Sequence, residues 1–372
     1  MIPPNAAGVT GEMSIYADKA NIRSVKIPPN NWYIYKSPTR PSEFKKYCEH
    51  LRIELAEYIR IFQQNSIDMV ISNTLTNFIP ALAAYLLQLK TIIWVHGYLD
   101  HRIIHQIDPD YQAAIDYNLL RLNDHLIYCS EWTKLKFLNL IPNYNFSDSI
   151  IKNWTHEPTS ILDYHKTKKH FLCLNTMDKL KGIDLIINAA KIIKDKGYDC
   201  KVDLHGIGLE IQNMIDLIYA NGLEDQVKIF PRNVFIEDLY NSNFVLLQPS
   251  YYESFGRTII EAMSHKRPVI AATTADPTKS IRDGKNGFLF EPGNVSQLAE
   301  KMLYFLENPD HGRGMGEAGY EIYQKEYSPA IAKTSFDQVI HDLYLQSSDS
   351  RQIKTAAFNL LNSMHHNVFS DV

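Results

Sequence analysis

Apolar positions in this chain recur in two rhythms, and their alternation outlines a fold. Short apolar runs bounded by turn residues read as strands: Ile67–Ser72, Thr91–His96, His125–Ser130 and Ser149–Asn153, then Phe171–Asn175, Val202–His205, Val227–Phe230, Phe244–Gln248 and Val269–Ala272. Between them, apolar residues return at helical spacing. Phe44, Tyr47, Cys48, Leu51, Leu55, Tyr58, Ile59 and Phe62 share one face of a helix expected to be capped by Ser42. Phe78–Leu89 is apolar nearly all round and predicts a buried helix, whereas Asp184–Lys196 is amphipathic and ends at Gly197. Strand–helix alternation at this pitch predicts parallel, doubly wound α/β sheets. Thr155–Lys169, with a proline, charges and hydroxyls, reads as a linker between two of them.

Composition narrows the function more than the fold. A chain of 372 residues has room for two or three domains. Its net charge of −4 argues against broad nucleic-acid binding, which draws its affinity from phosphate neutralisation. The cysteines Cys48, Cys129, Cys173 and Cys200 are far apart and form no CxxC pair, so a reducing compartment and no structural zinc are expected. Asp108 and Asp110 form an isolated loop pair, read as a solvated turn and not a metal site. No apolar run has the length of a transmembrane helix, and the opening residues lack a signal-peptide layout. The expected location is cytoplasmic, with peripheral contact at the inner membrane face left open.

The candidate chemistry gathers around Pro249–Met263, PSYYESFGRTIIEAM. A buried strand precedes it, and Ile259, Ile260 and Met263 give a helix after Gly256, with Ser254 placed to cap it. A strand, a tight turn and a helix N-terminus form an anion site, because unsatisfied N–H groups and the positive dipole end point outward together. The dipole contributes only about 0.3–1 kcal/mol where exposed, so a basic partner is expected. Glu253 and Glu261 by themselves also fit ordinary surface residues near a helix start. Gly206 and Gly208 after a strand are read as a turn into a helix.

The full string, PSYYESFGRTIIEAMSHKRPVIA with IRDGKNGFLFEPGNVSQLAEKM after it, resembles the donor-binding half of family 4 retaining glycosyltransferases, which have the GT-B fold. The resemblance runs from about Ile67 to Leu345. It implies two Rossmann-like domains: 1–155, rejoined by a C-terminal helix 330–345, and a nucleotide-sugar domain 156–329, with a helical tail 346–372. It implies that Glu253 lies by the donor sugar and that Ser254, Phe255, Gly256, Arg257 and Thr258 hold the diphosphate through their backbone. Glu261 would hold the ribose. Lys181, in Lys179–Gly182 (KLKG), matches the lysine that grips the donor phosphates. His96 matches a strand-end histidine that contacts the sugar from the first domain. Ser130 and Lys134 match a segment on the acceptor side, Asn153 matches a strand-end asparagine, and Arg232 lies near the nucleobase.

Several positions depart from the family. Asn175 stands where an arginine is usual, which removes a charged phosphate contact; Arg257 is the better substitute, with Lys179 behind it. Trp154 and Lys266 replace glycines, and Ala275–Asp276 stands for a glycine pair. No apolar strand precedes Ala7–Glu12, so the first strand is expected to be missing or rebuilt; Arg23–Ile27 reads as a short strand. The resemblance as a whole implies a retaining, metal-independent transferase with no cofactor beyond its UDP- or GDP-sugar donor. It would move a hexosyl group to a growing cell-surface glycan, such as lipopolysaccharide or capsule, with a lipid-linked acceptor among the options. Two rivals stand beside it: a sugar-nucleotide epimerase of the same fold, and a non-catalytic nucleotide-sugar-binding subunit.

Overall fold

The computed structural model describes residues 41–73, 79–97, 120–140, 145–164, 168–230, 236–274 and 277–345. The expectations for Ala7–Glu12, Arg23–Ile27, Asp108 and Asp110, Arg232, Ala275–Asp276 and the tail 346–372 lie outside them. Contacts divide the chain into two compact units: Met1–Ile127 with Leu138–Ser149 and Asp342–Val372, and Tyr128–Phe137 with Ile150–His341. The change of unit thus falls at Ser149/Ile150, ahead of the expected 155/156, and Asp342 onward is grouped with the first unit.

The first unit is built on a four-stranded sheet of order β1-β2-β3-β4: β1 Met69–Ser72, β2 Lys90–Val95, β3 His125–Tyr128 and β4 Asp148–Ile150. β1 and β2 run parallel. Helix α1, Pro41–Gln64, starts at its proline, so Ser42 lies in the first turn and is not the cap. Its Tyr58 and Phe62 pack with Val70 and with Ile79, Ala83 and Ala84 of α2, Ile79–Leu86. That helix is shorter than the sequence suggested and leaves Leu86 exposed. Helix α3, Glu131–Leu140, follows β3, and its residues up to Phe137 are grouped with the second unit. His125 of β3 is buried with Nδ1 2.8 Å from Ser147 Oγ and Nε2 3.0 Å from Ser149 Oγ, which ties β3 to the start of β4.

The second unit carries a six-stranded sheet of order β10-β9-β8-β5-β6-β7, with every neighbouring pair parallel. Its strands are β5 Lys168–Leu174, β6 Lys201–His205, β7 Val227–Phe230, β8 Asn243–Gln248, β9 Val269–Ala272 and β10 Gly287–Phe290. The helices are α4 Ile183–Asp195, α5 Ile211–Ala220, α6 Ile236–Ser242, α7 Arg257–Ser264, α8 Pro277–Ser280, α9 Val295–Glu307, α10 Pro309–Glu326 and α11 Pro329–Leu345. The period-two geometry of a strand sends successive residues to opposite faces. Phe171, Cys173, Val245 and Leu247 accordingly pack with Ile186, Ile187 and Met302, while Leu172, Leu174 and Leu246 pack with Leu239, Ile259 and Tyr323. Burial on both faces explains why these strands read as continuous apolar runs.

The expected linker is a strap bonded to the second unit. Thr159 donates twice to Glu237, the Leu162 amide donates to Asn241 Oδ1 at 2.9 Å, and the Asn241 amide donates to Ser160 O. Arg267, 1% exposed, clamps it from beneath: Nη2 donates to Leu162 O and Nε to Tyr240 O, each at 2.7 Å. A proline and charges marked a loop in sequence, but its partners are spread from residue 237 to 267, beyond any local window.

Candidate functional site

In open parallel sheets, ligands collect beyond the carboxyl ends of the strands. β5 and β8 are neighbours in the middle of the second sheet, so the segments leaving them meet although about 75 residues separate them. After β5 the chain makes one 3₁₀ turn, Lys179–Lys181, capped by Asp178, whose carboxylate accepts from the Leu180 amide at 3.0 Å. Gly182 then takes a left-handed conformation, φ 62°, and α4 begins. A Cβ on Gly182 would lie 2.6 Å from the Pro249 carbonyl oxygen, so only glycine lets this turn sit against the end of β8. The Tyr251 amide donates to Leu180 O at 2.9 Å and closes the two segments together.

That closure brings Lys181 and Glu253 into contact. Lys181 Nζ donates to Glu253 Oε2 at 2.9 Å, with both side chains about four-fifths buried. Gln248, the last residue of β8, donates to the same oxygen at 3.1 Å and to Ser250 Oγ at 3.0 Å. Its own oxygen accepts from Thr258 Oγ1 at 2.9 Å. Asn175 reaches this group only weakly, its amide lying 3.4 Å from Ser250 Oγ.

The helix that follows is capped differently from expectation. Gly256, φ 78°, is the N-cap of α7, without a side-chain cap bond, and Ser254 lies outside the cap. Phe255 is buried against Tyr327 and belongs to the core, so only its backbone is available to a ligand. Arg257 is solvent-facing; its Nη2 lies 3.6 Å from Glu261 Oε1. Glu261 is buried, 9% exposed, and accepts from the Tyr240 hydroxyl at 2.9 Å. Burial and the adjoining Glu261 carboxylate push the Tyr240 phenol well above its ordinary range, which keeps it a donor. Burial pushes the Cys173 and Cys200 thiols up to about 12, so neither is a nucleophile near neutral pH.

Lys181, Glu253, Thr258 and Glu261 therefore sit in one connected polar group, with Asn175 at its edge. His96 follows β2 in the first unit; its Nε2 is 2.6 Å from Asn73 Oδ1 and its ring stacks on Trp94 at 5.7 Å. Ser130 is buried and committed to the start of α3, accepting from the Thr133 amide at 3.1 Å; Lys134 is half-buried on that helix. Asn153 is buried, and Arg232 lies outside the described residues. Among the described residues, no three histidine, cysteine or carboxylate side chains gather as a metal would need. Sequence reasoning missed Tyr240, Ser250 and Gln248. Tyr240 gave no signal, but a glutamine ending an otherwise apolar strand was visible.

Comparison with known proteins places this geometry. Residues 160–322 match the family model described as glycosyl transferases group 1. An α-D-kanosaminyltransferase of Streptomyces kanamyceticus is 30% identical over 154 residues, 41% of this chain and 40% of that protein. A poly(ribitol-phosphate) α-N-acetylglucosaminyltransferase of Staphylococcus aureus is 28% identical over 177 residues, 46% of this chain and 36% of that protein. The chain thus spans less than half the length of either relative. Among solved structures, Anabaena HepE in complex with UDP and glucose superposes with a TM-score of 0.74 at 18% identity, covering 89% of each chain. That likeness establishes the GT-B fold.

Proposed function

From the premise that this chain carries a group 1 glycosyltransferase domain over residues 160–322, we propose that it moves a hexosyl group from a nucleotide-diphosphate sugar to a cell-surface glycan, with retention of anomeric configuration. The observation that carries this reading is the meeting of Lys181 with Glu253 beside the N-terminus of α7. Breaking the sugar–phosphate bond builds negative charge on the leaving diphosphate and positive character on the sugar ring. A lysine and a helix N-terminus answer the first demand, and a carboxylate three residues before the N-cap answers the second.

In this reading Lys181 neutralises the leaving diphosphate together with the backbone from Ser254 to Thr258. Glu253 steadies the sugar. Glu261, held by Tyr240, takes the ribose hydroxyls, and Arg257 adds charge where Asn175 cannot. His96, Ser130 and Lys134 keep the sugar-side and acceptor-side roles that the resemblance implies. No metal is required, because fixed positive charge already faces the phosphates. HepE was solved with UDP and glucose, and the Staphylococcus relative is named for a poly(ribitol-phosphate) acceptor; both support a nucleotide-sugar donor and a surface polymer acceptor.

The test is a panel of UDP- and GDP-sugars scored by thermal shift and by slow nucleotide release. One donor should raise the melting temperature, and Glu261→Gln should remove that shift. Interconversion of the donor sugar without acceptor would favour an epimerase. A thermal shift without any nucleotide release, even with glycan present, would leave a binding subunit. Refusal of the whole panel ends the donor assignment.

A further inference from the structure

Resting on the transferase reading above, we propose that Gln248 is a positioning residue, a buried amide that holds Glu253 and the first turn of α7 in register for a bound nucleotide sugar. A primary amide is costly to bury unless its groups are bonded. Gln248 is 3% exposed, and both ends of its amide are used. Nε2 donates to Ser250 Oγ and Glu253 Oε2, and Oε1 accepts from Thr258 Oγ1. These partners fix the orientation: turning the amide over would set its oxygen against the Glu253 carboxylate. One side chain thereby joins the end of β8, the turn and the start of α7.

Strand burial does not ask for this residue. β8 packs through Phe244, Val245, Leu246 and Leu247, and a leucine at 248 would continue that pattern. The amide answers a need of the turn. Lys181 bonds Glu253 Oε2 as well, at 2.9 Å, but a diphosphate arriving at the helix N-terminus competes for the same ammonium. As Lys181 turns toward phosphate, the Gln248 amide keeps its hold on the carboxylate. Glu253 then stays aimed at the sugar while the lysine changes partner.

The experiment uses the donor that the wild-type protein accepts from the UDP- and GDP-sugar panel, with the matching sugar-free UDP or GDP as a second probe. Gln248→Leu should lower kcat by about tenfold to a hundredfold, the range of a lost hydrogen bond to a charged group. Its Kd for UDP or GDP should move by less than about threefold, since the phosphates meet Lys181 and the backbone. Gln248→Glu sets a second carboxyl against Glu253, and two such groups share a proton only as the pH falls. Its kcat should therefore recover from about pH 8 to about pH 6, over a range where the wild type shows no such rise. Gln248→Met, similar in length and without the amide, replaces the leucine variant if that one does not fold.

Turnover by Gln248→Leu within about twofold of wild type, or an equal loss of turnover and nucleotide affinity, overturns the proposal. So does a Gln248→Glu variant with the wild-type pH profile. Wild-type refusal of every nucleotide sugar removes the transferase reading and this inference together, whereas normal wild-type turnover with unaffected variants removes this inference alone.

Discussion

Lys266 shows how a departure from the family pattern is absorbed one residue at a time. It occupies a glycine position and has φ 57°, in the left-handed region that costs a side-chain-bearing residue about 1–2 kcal/mol. Its ammonium lies 5.1 Å from the centre of the Tyr320 ring, a cation–π contact of about 0.5–1 kcal/mol at an exposed site. Lys266→Ala keeps the backbone cost and loses the contact, so its melting temperature should fall. Lys266→Gly loses the same contact but relieves the backbone, and should melt above the alanine variant. The reverse order in calorimetry would show that this φ carries no strain. The sequence exposed the substitution but not the compensation, because Tyr320 lies 54 residues away on helix α10. The candidate site was legible to a similar degree. Lys181, Glu253 and Glu261 stood out through motif spacing, whereas Tyr240 and Gln248 matter only through hydrogen bonds that need coordinates. The Ser254 cap was placed two residues early, because a left-handed Gly256 is the N-cap of α7.

Helix α10 shows the same at the scale of an element. Gly312, Gly316 and Gly319 recur at helical spacing on one face, against Tyr164, Lys266 and Met263. A methyl on Gly316 would overlap the Lys266 carbonyl oxygen, which is backbone and cannot swing aside. Gly316→Ala should cost about 1–3 kcal/mol, the usual range for overpacking a close contact. Gly314 on the same helix is exposed with nothing near it, so Gly314→Ala should gain up to about 1 kcal/mol from helix propensity. Urea midpoints of the two variants should therefore move in opposite directions, and movement in the same direction would mean that α10 does not lie on that loop. Elements with strong periodicity were found from sequence almost in full, as with β7 and β9. β10, Gly287–Phe290, went unread because its four residues open with glycine and only two of them are buried.

Among the described residues, three buried histidines contribute to how the molecule's stability responds to pH. Burial holds His125, His205 and His265 below the ordinary imidazole range, with His125 in the first unit and the others in the second. The unfolded chain takes up these protons near pH 6.5, roughly, while the folded chain resists them, so the unfolded state binds more protons on the acid side. Stability is then full above that pH and is lost as pH falls through the lowered native values, by at most about 1.4 kcal/mol per pH unit for each histidine. Melting temperatures recorded from neutral toward acid should drop, and His205→Phe should flatten part of that drop; a flat wild-type profile would contradict the burial. The strand order also bears on synthesis. β5 finds β6 soon after leaving the ribosome, but its other flank waits for β8, which at a typical elongation rate emerges roughly 4–15 s later. Until then that edge of β5 is unpaired, and the face carrying Leu172 and Leu174 stays partly bare for longer, until Ile259 and Tyr323 follow; a pause in translation just after Gln248 would present that apolar face to chaperones.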